Sequence, residues 1–337
     1  MKAVGYQKSL PISDAKSLMD VEQPKPAPAG RDLLVKVQAV SVNPVDTKMR
    51  MRAEPAAGEW RVLGWDAVGV VDATGPEVKL FRAGDAVFYA GSLERQGTNQ
   101  EYHLGDERIV GPKPKSLSNA EAAALPLTAI TAWEMLFDRL DVKKAVPGPK
   151  NAILIVGGAG GVGSIAIQLA RVLTDLTVIA TASRPETMDW VKRLGAHHVV
   201  DHSKPLAAEV AKLGIGAPAF VFSTTETGRH FDQIAELLAP QGRFGLIDDP
   251  DVFDIRKIKR KSASVHWEFM FTRPMFGTAD ILEQNRLLTE LSRLVDAGRI
   301  KTTLGETYGT INAANLRRAH ALIESGKAKG KIVLEGF

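Results

Sequence analysis

Five glycines fall within eight residues at Val156–Gly163, VGGAGGVG, directly after the apolar run Ala152–Ile155 and directly before SIAIQLARVL. Gly158, Gly160 and Gly163 fit G-x-G-x-x-G, and the flanking runs read as a buried-type strand and an uncapped helix, the context that gives the pattern a mechanism. Gly158 would permit a tight turn, Gly160 the close approach of the backbone to a pyrophosphate, and Gly163 the packing of helix on strand. The unpaired N–H groups and the positive dipole end of the helix would face the anion. Dinucleotide binding is therefore expected along Gly158, Ala159, Gly160, Gly161, Val162 and Gly163.

Which dinucleotide is decided about twenty residues on, where an acidic residue holds the ribose 2′-hydroxyl in NAD sites. Here the second strand runs out in Thr181, Ala182, Ser183 and Arg184. A hydroxyl followed by a guanidinium suits a 2′-phosphate, since Arg pairs bidentately with phosphate and an Asp would repel it. Ser183 and Arg184 thus point to NADP(H), although SRPE at 183–186 also reads as a capping box for the next helix and Glu186 adds negative charge nearby.

Elements able to hold these residues follow from periodicity. Short strand candidates at Leu34–Val42, Val68–Ala73, Asp85–Tyr89 and Glu101–Leu104, set among Gly and Pro, suggest a barrel-like first domain. Ser118 and Glu121 form a capping box at the head of a helix. From there strands and helices alternate as far as about Phe271, the signature of a parallel sheet covered on both faces. Helices at Asp280–Ala297 and Asn315–Ser325 end at Gly298 and Gly326, and a last strand, Lys331–Leu334, could rejoin the first domain. The fold class is α/β, a barrel-type domain interrupted by a doubly wound parallel sheet.

Composition excludes several function classes. The 337 residues, 45% hydrophobic and 24% charged, are those of an ordinary globular chain large enough for two domains. The absence of cysteine removes disulfides and thiolate metal sites and suits a cytoplasmic protein. No sustained apolar segment suggests a signal peptide or membrane span. Part of the net charge of +4 lies in Arg256–Lys261, RKIKRK; without aromatic interleaving it reads as a solvated loop rather than a nucleic-acid contact. His197, His198, Asp201 and His202 are dense, but they fall on a strand and the turn beyond it, and no metal is expected there. No G-x-S-x-G, Walker or H-E-x-x-H pattern occurs.

Several separated motifs in order, Asn43–Asp46 (NPVD), Gly64–Gly69 (GWDAVG), Gly84–Val87 (GDAV), Glu121–Ala132 (EAAALPLTAITA), Gly158–Gly163, Gly195–Asp201 (GAHHVVD) and Gly330–Leu334 (GKIVL), resemble the medium-chain dehydrogenase/reductase superfamily. Within it the chain is most similar to the quinone oxidoreductase branch, in the subgroup labelled zinc-type alcohol dehydrogenase-like. The resemblance implies a GroES-like catalytic domain, residues 1–124 and 275–337, interrupted by a Rossmann NADP-binding domain, residues 125–274, with the active site in a cleft between them and a homodimer joined through Rossmann sheets.

Zinc-dependent relatives place Cys at position 43 and His-Glu at 65 and 66. Asn43, Trp65 and Asp66 cannot supply the three ligands of a catalytic zinc, so no zinc is expected. Hydride transfer would then develop charge on a carbonyl oxygen that fixed donors must stabilise. The family's positions beside the nicotinamide correspond to Asn43 and Thr131. Lys48 stands where relatives carry Tyr or His and could donate a proton or hold the oxyanion; its other reading is a solvated lysine beside Arg50 and Arg52. Asp46 is expected to orient rather than react. His202 takes the place of a Tyr lining the adenosine pocket, and Ser223, Thr224 and Ile247 are further expected cofactor contacts. The expected activity is NADPH-dependent, zinc-independent reduction of a quinone or related conjugated carbonyl, with no nucleic-acid or membrane partner. Alkenal or enone double-bond reduction and non-catalytic nucleotide binding are the alternatives.

Overall fold

The computed structural model describes residues 1–148 and 150–337, and the chain divides into two compact units, Met1–Ile130 with Phe271–Phe337, and Thr131–Met270. The first dividing point falls inside the helix Pro126–Trp133.

In the first unit the long strand Asp32–Val42 is the organiser. Its alternating side chains bury Leu33, Val35, Val37 and Ala39, and it pairs antiparallel with Ala67–Thr74, with Tyr102–Asp106 and with the last strand, Lys331–Glu335. Val333 lies opposite Ser41, which returns the end of the chain to the segment that carries Asn43. A seven-stranded sheet and a separate three-stranded one result. The capping box forms as its residues require: Ser118 Oγ accepts from Glu121 N at 3.2 Å while Glu121 Oε2 accepts from Ser118 N at 2.9 Å. The tail helices Glu283–Asp296 and Ala313–Glu324 run out within two residues of Gly298 and Gly326, whose φ of 68° and 67° only glycine adopts without strain.

The second unit is a six-stranded, all-parallel sheet. Its order in space is His198–Val200, Thr177–Thr181, Lys150–Val156, Pro218–Ser223, Arg243–Leu246 and Ser264–Trp267. The central strands are buried along most of their length, as in a sheet with helices on both faces. From Lys150–Val156 the chain first builds outward to one side and then crosses to the other, so the reversal of strand order lies between Lys150–Val156 and Pro218–Ser223. Ligands of such sheets sit beyond the carboxyl ends of the strands at that reversal.

Two local expectations are corrected. RKIKRK is not a loop but a 3₁₀ helix, Ile255–Lys261: Asp254 accepts from Arg256 N at 3.0 Å, and Ile258 is buried as its anchor. The sixth strand ends at Trp267. Ser183 does not cap the helix Pro185–Arg193; Arg184 is the N-cap residue, and Thr187 Oγ1 accepts from its backbone N–H at 3.2 Å. Proline at the first helical position moves the cap one residue along, because its fixed φ already belongs to the helix.

Candidate functional site

The glycine turn closes the reversal point of the parallel sheet. Gly157, not Gly158, makes the tight turn: its φ is +77°, and a Cβ there would meet Thr224 Oγ1 at 2.4 Å. Gly158 instead lies against the neighbouring strand, its N–H donating to Thr181 O at 3.0 Å and a Cβ there falling 2.9 Å from Ala180 Cβ. Gly163 is the closest contact of helix with turn, since a Cβ on it would stand 2.4 Å from Gly157 O. Gly160 caps the helix Gly161–Leu173 and makes no such internal demand. The first-turn N–H groups of that helix have no acceptor within it and no side-chain cap, which leaves them directed outward as anion donors.

The remaining cofactor candidates gather at the same ends of the strands. Thr181 joins them: its Oγ1 accepts from Gly157 N at 3.0 Å and is paired at 2.9 Å with His202 Nδ1. Arg184 is half-buried, with its Nε 3.0 Å from Glu186 Oε1. Ser223 and Thr224 brace the site from within. Ser223 is fully buried with its hydroxyl 2.8 Å from Thr227 Oγ1, and Thr224 Oγ1 donates to Val156 O at 2.8 Å. Ile247 is half-buried immediately after Arg243–Leu246.

Asn43, in the other unit, sits in a buried polar hub. Its Nδ2 donates to Asp66 Oδ2 at 2.7 Å and to Ser41 O at 3.3 Å, and its Oδ1 accepts from Lys331 Nζ. The Lys331 ammonium also donates to Val42 O at 3.2 Å and Asp66 Oδ2 at 3.0 Å, so its three protons are all used. Asp66 Oδ1 accepts from Leu127 N at 2.8 Å, which ties the hub to the first turn of Pro126–Trp133. Asp46 closes it from below, Oδ2 accepting from Asn43 N at 2.8 Å.

Two buried carboxyl groups thus lie in the field of one ammonium, Asp66 paired with it directly and Asp46 not. Burial pushes the Asp46 carboxyl up to about 7, against the Asn43 N–H and Lys331; its Oδ1 has no hydrogen-bond partner, which fits a proton resting there. Burial also raises Asp66, and the Lys331 charge opposes it.

A divalent metal does not fit this donor set. Asn43 and Asp66 spend their polar atoms on Lys331, on each other and on backbone, and Trp65 Nε1 donates to Ser92 O at 3.2 Å. An ammonium stands among the oxygens that a cation would need. Among the described residues no group of three or more His, Asp or Glu side chains could hold a metal, the His197–His202 segment included. Lys48 lies on the helix Pro44–Arg52, half-buried, and Thr131 is buried on Pro126–Trp133.

Lys331, Thr181 and Gly157 were missed in the sequence. A lysine inside the apolar run GKIVL was the available signal for the first, and the hydroxyl ending an otherwise apolar strand for the second. Also among the described residues, no helix is long and apolar enough to cross a membrane.

Comparison with known proteins agrees with this architecture. Residues 29–123 match the alcohol dehydrogenase GroES-like domain and residues 194–334 the zinc-binding dehydrogenase family. A zinc-type alcohol dehydrogenase-like protein of Staphylococcus aureus is 39% identical over 99% of both chains. A solved structure from Rhizobium etli, described as of the zinc-dependent alcohol dehydrogenase type, is 69% identical with a TM-score of 0.98, covering 100% of this chain and 98% of the other. The quinone oxidoreductase of Coxiella burnetii is 26% identical with a TM-score of 0.79, over 100% and 99% of the two chains. With a GroES-like unit, a doubly wound nucleotide-binding unit and these relatives, the chain belongs to the medium-chain dehydrogenase/reductase superfamily of nicotinamide-nucleotide oxidoreductases.

Proposed function

We propose that the chain is an NADPH-dependent, zinc-independent reductase acting on a quinone or a related conjugated carbonyl. The observation that carries this reading is the closed hub of Asn43, Asp66 and Lys331, which puts a fixed ammonium where a metal-dependent relative needs metal ligands. Bound NADPH supplies the hydride. The chain supplies the rest: the turn Gly157–Gly163 and its helix N-terminus seat the pyrophosphate, and Ser183 and Arg184 hold the ribose phosphate. Asn43 spends its amide inside the hub and so acts by position, setting the start of the helix that carries Lys48. Hydrogen-bond donation to the acceptor oxygen falls to Thr131 and Lys48. A homodimer suits the edge strand Ser264–Trp267, beside which Trp267 and Phe269 are exposed.

The test is nucleotide oxidation by the purified protein with benzoquinone, phenanthrenequinone and small enones, with and without a chelator. Oxidation faster than the acceptor-free rate and indifferent to the chelator is expected; no acceleration by any acceptor would refute the reading. The cofactor assignment has its own check. Arg184→Ala should weaken NADPH binding by about tenfold or more, the worth of a charge-assisted hydrogen bond, and NADH binding by no more than about twofold. Equal losses in direct titrations would show that Arg184 does not read the phosphate.

A further inference from the structure

The strands Thr177–Thr181 and His198–Val200 are parallel neighbours, with Thr181 opposite Val200. The segments that follow them, Ser183–Arg184 and Asp201–His202, therefore leave the sheet side by side. His202 is tied at Nδ1 to the Thr181 hydroxyl at 2.9 Å, and that hydroxyl is in turn fixed by Gly157 N at 3.0 Å. The glycine turn and the imidazole are thus parts of one chain of hydrogen bonds. A hydroxyl can donate to a neutral Nδ1 or accept from a protonated one, so the ring can change charge without losing its anchor.

Behind His202 stands His230, on the helix Thr227–Leu237, with ring centroids 6.1 Å apart. The charged groups facing this pair come from four segments: Arg184, Asp201, the pair Glu226 and Arg229, and Asp248. Each carboxylate among them has a donor. Asp201 accepts from Ser203 Oγ at 2.7 Å and N at 2.9 Å, Asp248 accepts from Thr227 N at 2.8 Å, and Glu226 pairs with Arg229 at 3.0 Å while also lying 3.9 Å from His230 Nε2. Glu186 is likewise taken up by Arg184. His202, near the proposed phosphate-reading arginine and with His230 behind it, is what can still gain positive charge.

We propose that His202, backed by His230, is a proton-dependent reader of the ribose 2′-phosphate: the ring takes up a proton as the phosphate binds, so preference for NADPH over NADH weakens as pH rises. This rests on the NADPH reading above.

The sign follows from the surroundings. In the free protein burial pushes both imidazoles below their ordinary value; at His202 Asp201 and Glu226 oppose this while Arg229 and Arg184 add to it. A phosphate dianion alongside favours the imidazolium and raises the value in the complex. Between the two values, binding takes up a proton, and affinity declines as pH rises through the upper one. The second ionisation of the phosphate, near pH 6, works the other way in more acid solution. The preference for NADPH thus weakens toward alkaline pH.

The test is titration of the full-length protein with NADPH and with NADH between about pH 6.5 and about pH 8, where the wild-type affinity ratio should fall by about fivefold or more and that of His202→Gln by less than about twofold. Glutamine keeps a hydrogen-bonding partner for Thr181 but does not titrate. Calorimetry of the wild type in buffers of different ionisation enthalpy provides a measurement that needs no variant: net proton uptake with NADPH and none with NADH. A wild-type ratio that is flat with pH, an equally steep ratio in His202→Gln, or equal proton exchange for both nucleotides would overturn the proposal while leaving the NADPH reading intact. Equal affinity for the two nucleotides at every pH, or binding of neither, would overturn both.

Discussion

Gly163→Ala should lose nucleotide binding and stability together, while Gly160→Ala should lose binding alone. At Gly163 the added methyl would stand 2.4 Å from Gly157 O and 2.7 Å from Gly158 Cα, atoms of backbone that cannot rotate away. The helix must retreat from the turn, which costs about 1–3 kcal/mol as overpacking and moves the anion-binding N–H groups off their line. At Gly160 the nearest internal atom to a new Cβ is Gly157 O at 3.5 Å, an ordinary contact, and φ is −72°, open to any residue. Folding stability should hold or rise by up to about 1 kcal/mol, since alanine narrows the unfolded ensemble. The methyl would instead project into the space the pyrophosphate needs, and NADPH affinity should drop by about tenfold or more, a loss of roughly 1.4 kcal/mol or more. Thermal denaturation and nucleotide titration of the two variants decide the matter; wild-type affinity in Gly160→Ala would mean that the pyrophosphate lies elsewhere.

Lys331→Met should be among the most destabilising single changes in the chain. The ammonium serves Asp66, Asn43 and Val42 O in the interior, and removing one partner of a buried ion pair typically costs about 3–5 kcal/mol because the other charge is left unpaired. The loss should deepen from mildly acid to mildly alkaline pH. Without the cation Asp66 is held protonated in the folded chain and ionised in the unfolded one; the folded state then binds more protons, and stability declines as pH rises. Lys331→Met combined with Asp66→Asn should recover a large part of the loss, since no buried charge remains unpaired. Denaturant titration at two pH values, on both single variants and the double, measures this. Additive losses would show that the pair is not coupled.

The sequence alone determined a good deal, wherever the governing physics is local. The apolar central strands, the Ser118–Glu121 box and the stops at Gly298 and Gly326 follow from periodicity and from φ preferences a few residues wide. The lack of thiols follows from residue type. Where a neighbour's geometry intrudes, local reading slips by a residue: Gly157 rather than Gly158 turns the chain because Thr224 occupies the space above it, and Arg184 rather than Ser183 caps because Pro185 opens the helix. Other features were decided only by tertiary structure. Lys331 joins Asn43 across 288 residues because the last strand pairs with Asp32–Val42 in one register, and a slip of one residue would turn its side chain to the other face of the sheet. Thr181 and His202 meet because two strands lie side by side in parallel. Hydrogen bonds of this kind depend on which strands are neighbours and in what register, and that is fixed by burial of the whole sheet, not by any short stretch of chain.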